Sequence, residues 1–146
     1  MTIKKDRGKS SNAAVFLTNP SDERKPAEIA WEGDSKDVLS AFPHDVKVSL
    51  GFSLRQLQNG RKPRCKFRSM SSVGDGVWEL KESDERTWYR IIYLSMIGNV
   101  LHVLHCFEKD SRKTDHRDIE TAKFRLRRVE QRLREQRNRE RISKES

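Results

Sequence analysis

Apolar positions along the chain follow two rhythms, and each predicts a different kind of element. Glu28-Ile29-Ala30-Trp31-Glu32 alternates with period two, which predicts a short first strand, and Gly33-Asp34-Ser35 then supplies a turn and a helix N-cap. Leu39 and Phe42 fall in the first turns of a helical segment. Pro43 stands where a second helix can begin, and Val46, Leu50, Leu54 and Leu57 recur at helical spacing until Asn59-Gly60 stops the run. The basic stretch Arg61-Lys62-Pro63-Arg64-Cys65-Lys66-Phe67-Arg68 is interrupted by proline, which predicts an exposed loop or an edge segment. Strand-like runs then follow closely, from Val77 to Lys81, Trp88 to Leu94 and Val100 to Phe107, and such short connections imply an antiparallel meander. A last helix begins near Asp115. Its stripe of Ile119, Ala122, Leu126, Val129 and Leu133 alternates three- and four-residue steps and requires a partner surface; beyond Leu133 the stripe ends.

The order is β-α-α-β-β-β-α, an α+β class in which a small antiparallel sheet packs on helices. The expectation is that one sheet face is buried and the other accessible. Residues 1–27, rich in Lys, Ser, Asn and Asp with Pro20 and Pro26, predict a flexible basic arm. Residues 28–126 form the expected domain, and residues 127–146 a charged C-terminal helical extension.

Charge sharpens this picture. The 146 residues carry 31 Lys and Arg against 22 Asp and Glu, a net +9, which makes a polyanionic partner the first expectation, nucleic acid ahead of a membrane surface. Charged residues reach 36% and apolar ones only 34%, so part of the chain is expected to stay outside any core. Cys65 and Cys106 are too few and too far apart for a disulfide scaffold or a zinc site and read as reduced thiols. The apolar run Ala13 to Leu17 is shorter than a signal-peptide core or a membrane span, so a cytosolic protein without a membrane partner is expected.

Alternation sorts the strand residues by face. Glu79 and Lys81 share a side opposite Trp78 and Leu80; Arg90 lies with Trp88 and Ile92, opposite Tyr89, Ile91 and Tyr93, which read as core. Arg90 is thus a charge on the strand expected at the centre. It is either a structural ion-pair partner of Glu79 or another nearby acid, or a guanidinium that grips phosphate. His102 and His105, three apart, are expected on opposite faces, which argues against a shared metal site. His105, sharing parity with Leu101, Val103 and Phe107, reads as a hydrogen-bonded histidine at the core edge or as a general base. Lys62, Arg64, Lys66 and Arg68 alternate as a basic strip, and Lys109, Arg112 and Lys113 form a second cluster; both are solvated surface or the border of a groove for a phosphodiester chain. Phosphate-cradling glycine motifs, paired carboxylates and cysteine–histidine constellations are absent.

Val77-Trp78-Glu79-Leu80, Trp88-Tyr89-Arg90-Ile91-Ile92-Tyr93 and Leu104-His105-Cys106-Phe107-Glu108-Lys109 resemble the phage-derived, HigB-like branch of the RelE/ParE toxin superfamily. Phe42-Pro43, Leu57-Gln58-Asn59-Gly60 and Asp118-Ile119-Glu120-Thr121-Ala122 with Arg125 extend the resemblance over residues 31–125. It implies the toxin of a type II toxin–antitoxin pair that cuts messenger RNA on the ribosome by 2′-hydroxyl attack, with no metal or cofactor. It also implies a helix-turn-helix antitoxin as cognate partner, with promoter DNA reached only through that complex. By position, Arg90 is implied to stabilise phosphate and Lys109 to contact phosphate or transfer a proton, with His105 and Glu79 as further catalytic candidates. Lys62, Arg64, Lys66, Arg68, Lys81, Arg112 and Lys113 are the expected RNA contacts. A ParE-like topoisomerase inhibitor without catalysis and a basic nucleic-acid-binding phage accessory protein are the alternatives. Asp110 stands where the branch tends to carry a second lysine, and Asp115 where it carries proline; Asp115 can cap the last helix.

Overall fold

The computed structural model describes residues 25–110 and 115–145. Residues 1–24 of the expected arm, together with Arg112 and Lys113, lie outside the described residues. The elements are β1 (Glu28–Trp31), α1 (Ser35–Ser40), α2 (His44–Gln58), β2 (Lys66–Ser69), β3 (Val77–Ser83), β4 (Trp88–Ile97), β5 (Val100–Lys109) and α3 (His116–Glu145). Local chemistry sets their bounds. Pro43 occupies the N-cap of α2, and Asn59 with Gly60 at φ 72° ends it. Gly98, at φ 63°, opens the two-residue turn of the β4–β5 hairpin, where only a glycine takes that backbone at no steric cost.

One sheet holds all five strands in the order β1-β5-β4-β3-β2, so β4 is central. One expectation is corrected here, and one open alternative, loop or edge segment, is decided. The sheet is mixed, because β1 lies parallel to β5 while every other pairing is antiparallel. The proline-interrupted basic stretch also supplies a strand: after Pro63 the chain straightens, and Lys66 to Ser69 pair with Lys81 to Trp78 as a short edge.

Both faces carry helices, a further correction to the expected open face. On one side Leu39, Phe42, Val46, Leu50 and Leu54 of the α1–α2 segment pack on Leu80, Tyr89, Ile91, Tyr93, Leu101, Val103 and Cys106. On the other, Ala122, Leu126 and Val129 of α3 cover Val77, Ile92, Leu94, Leu104 and Phe107, with Met70 and Val73 from the β2–β3 loop. The stripe of α3 finds its partner there, and each buried leucine contributes about 1.5–3 kcal/mol relative to exposure. Past Val129 no residue of α3 is buried, and the helix runs on in one piece to Glu145. Among the described residues no helix is long and apolar enough to cross a membrane.

A β-bulge reorganises β5. Ile92 pairs with His105 but the next residue, Tyr93, pairs with Val103, so Leu104 is the extra residue. The freed carbonyl of Leu104 accepts a hydrogen bond from Arg125 Nη1 at 3.0 Å. Arg125 also reaches Asp34 Oδ1 at 2.9 Å, passing Gly33, where a Cβ would stand 2.4 Å from the guanidinium carbon. The bulge brings His102 and His105 to the same α3-facing side, against the expectation of opposite faces. Parity counts only while pairing is regular.

Candidate functional site

Residues directly paired across strands point the same way. Lys66 faces with Lys81 and Arg90, Arg68 with Glu79, and Trp88 with Lys109, so all seven side chains share the face on which α3 packs. The helix packs on the sheet around Ile92 and Leu104; at this end Lys66 and Arg68 are exposed and Lys81, Trp88 and Lys109 half-buried, over the buried Glu79 and Arg90. The result is a cationic surface drawn from β2, β3, β4 and β5.

Its floor is an ion pair. Arg90 and Glu79 are each 0% exposed, and Arg90 Nη1 donates to Glu79 Oε1 at 3.2 Å. Arg68 Nε donates to the same oxygen at 2.9 Å from a half-exposed side chain. Arg90 is therefore the ion-paired arginine that alternation allowed. Its guanidinium lies in the interior, on the central strand, and does not reach solvent. Glu79 is likewise buried, and holds two arginines.

Lys81 stands beside this pair. Burial, then the positive charges of Arg90 and Arg68, push its amine below the usual lysine range; the Glu79 carboxylate opposes them and Lys66 adds to them. Lys66 Nζ and Lys81 Nζ lie 5.6 and 5.3 Å from the ring centre of the partly exposed Trp88, at cation–π distance. Lys109 Nζ meets Asp115 Oδ2 at 2.9 Å. The Lys109 ammonium, then the backbone N–H of Arg117, hold the Asp115 carboxyl below its ordinary value, so Asp115 both caps α3 and neutralises the lysine. The acid that meets Lys109 is thus Asp115.

His105 belongs elsewhere. Its Nε2 is 2.9 Å from Asp118 Oδ1, its Nδ1 is 3.4 Å from Arg125 Nη1, and its ring stacks on Phe107 at 4.9 Å. Because Arg125 can only donate, Nδ1 accepts and Nε2–H donates to Asp118, which describes a neutral imidazole. This is the hydrogen-bonded core-edge histidine, fixed under α3. Burial first, with Arg125 adding to it, lowers its pKa against the opposing pull of Asp118 and Asp34. A base whose folded pKa lies below its unfolded value makes the unfolded chain the better proton acceptor. Stability is accordingly expected to fall as pH drops below about 6.5, toward the lower folded value. Urea unfolding between pH 7.5 and 5 checks this; an equal slope in His105→Gln would assign the loss to other groups.

Two residues of the basic strip are not brought to the site. Lys62 Nζ lies 5.6 Å from the Phe67 ring centre and the Arg64 guanidinium 5.9 Å from that of Phe52, on the α2 side of the sheet. Pro63 breaks the extension that would have aligned them with Lys66 and Arg68. Sequence reasoning also passed over a polar tie at the opposite end of the sheet. There Glu32 accepts from Arg132 Nη2 at 2.7 Å and meets His102 Nδ1 at 3.2 Å, joining the end of β1 to β5 and α3. The only signal for it was that Arg125 and Arg132, seven apart, flank the apolar stripe. Cys106 is buried, its thiol pushed up to about 12, so at neutral pH it carries no thiolate for chemistry. Among the described residues no group of three or more His, Cys, Asp or Glu could hold a metal ion.

The fold and this surface define a small α+β protein whose sheet presents a cationic, aromatic-bearing end beside a long helix. Residues 37–127 match the family model described as Phage derived protein Gp49-like (DUF891), and the chain belongs to that family. No curated protein matches it.

Proposed function

We propose that this chain is the toxin of a type II toxin–antitoxin pair and acts in the cytoplasm as a ribosome-dependent messenger RNA endoribonuclease. The observation that carries the reading is the juxtaposition of Lys66, Lys81 and Lys109 around a partly exposed Trp88, with Arg68 on the same face of the sheet and a buried arginine beside them. Membership of a phage-derived family and the strand motifs of the HigB-like branch support it.

Cleavage by 2′-hydroxyl attack needs a base for that hydroxyl, positive charge at the crowded phosphate and a proton for the leaving 5′-oxygen. Lys81, whose amine is pushed below the usual lysine range, serves as the base: it takes the 2′-hydroxyl proton as the O2′–P bond forms. Lys66 and Arg68 lie where phosphate charge is met. Lys109, released from Asp115, gives a proton to O5′ as the P–O5′ bond breaks, leaving a 2′,3′-cyclic phosphate. Arg90 acts at a distance, as a fixed positive charge that keeps Lys81 deprotonated more often. A helix-turn-helix antitoxin covering this end of the sheet would neutralise it, and would carry any promoter binding.

Induced expression is expected to arrest growth within a generation while messages are cut inside their reading frames, which primer extension reads directly. Arrest with intact transcripts and linear DNA breaks would replace this reading with topoisomerase inhibition. RNA binding without arrest would leave a basic accessory protein.

A further inference from the structure

We propose that Trp88 is the platform on which one unpaired nucleobase of the bound strand stacks, so that the surface selects single-stranded RNA by its bases as well as by its phosphates. The inference rests on the RNA-cleaving reading of the same face and deepens it.

The indole has no structural employment of the usual kind. Trp31 and Trp78 pack against the cluster formed by α1, α2 and the sheet, whereas Trp88 belongs to neither apolar cluster of the described residues. It begins the central strand, opposite Lys109 in the register, and its ring stays partly exposed. Two cations lie over its ring, Lys81 at 5.3 Å and Lys66 at 5.6 Å from the centre. A large flat apolar ring at a wet, positively charged sheet end is the combination that single-strand binders use: the base lies on the ring and its phosphates meet the surrounding ammonium groups. A base within a duplex is covered on both faces by its neighbours, so this site takes a splayed nucleotide. Lys66 and Lys81, already held beside the indole, are placed to meet that nucleotide's phosphates.

The test compares two labelled oligonucleotides of equal length and phosphate number, 2′-O-methylated to block cleavage. One carries bases and the other is abasic at its central positions. Anisotropy titrations are run with full-length wild type, Trp88→Phe and Trp88→Leu, each with its melting temperature. Wild type is expected to bind the base-bearing strand on the order of 10-fold or more tighter than the abasic one. Trp88→Phe should keep most of that ratio and Trp88→Leu abolish it, the loss of affinity falling on the base-bearing strand. A 2-aminopurine placed in the strand should be quenched on binding to wild type, a readout that needs no variant. Survival of the ratio in Trp88→Leu, or equal weakening of both strands, would overturn stacking while leaving RNA binding intact. Failure of wild type to bind either strand would instead remove the RNA reading itself.

Discussion

Glu79→Leu, with Arg90 left in place, is expected to cost about 3–5 kcal/mol of folding stability and to lower Tm by more than about 10 °C. The carboxylate is fully buried and its Oε1 accepts from Arg90 Nη1 at 3.2 Å and from Arg68 Nε at 2.9 Å. Without it, a guanidinium that cannot reach water, set opposite Phe107 in the register, loses the buried carboxylate it donates to, and breaking a buried ion pair from one side is among the most expensive single changes a fold can suffer. The double variant Glu79→Leu with Arg90→Met is expected to recover most of the loss, since two apolar side chains of similar volume avoid desolvating either charge. Urea unfolding followed by circular dichroism measures both. A single variant within 1 kcal/mol of wild type would show that water or another acceptor already satisfies the Arg90 guanidinium.

Lys81→Met is expected to lower RNA cleavage by about 10²- to 10⁴-fold, the range for loss of a positioned base, with little change in Tm. The sign of the accompanying pH effect follows from the neighbours. Arg90 and Arg68 repel the protonated amine, so removing either positive charge raises its pKa. In Arg68→Gln, a protein expected to fold because that side chain is half-exposed, the rising limb of kcat/KM against pH should therefore move to higher pH. Cleavage of a programmed ribosome complex at several pH values reads both effects. An unchanged rate in a folded Lys81→Met protein would take the base role from this lysine, and a limb moving to lower pH in Arg68→Gln would contradict the electrostatic origin of its shift.

Much of the architecture was legible because local chemistry and global packing agree. The stripe from Ile119 to Leu133, the stop at Asn59-Gly60 and the face of Tyr89, Ile91 and Tyr93 all follow from periodicity alone. The parallel pairing of β1 with β5 was not legible, because strands some seventy residues apart leave no local mark. Nor was the bulge at Leu104: an extra residue in one strand has no composition signal, and it changed which side His102 takes. Within the site, alternation put Glu79 with Lys81 and Arg90 with Trp88, but could not say which faces of the two strands coincide or how deep the residues lie. Depth depends on α3 and α2 packing on opposite faces of the sheet, and alternation left Arg90 open between an ion pair and a phosphate grip where the structure buries it against Glu79. The strip from Lys62 to Arg68 misled because Pro63 divides it between two faces.

The edge strand β2 has a second consequence. Both borders of the sheet are only four residues long, and the outer one carries Lys66 and Arg68. An unpaired row of backbone groups invites annealing with the same row on another molecule, and short length together with like charge opposes that association. The cations of this edge thus guard the protein against its own copies. Neutralising them would remove a barrier to fibrous self-association.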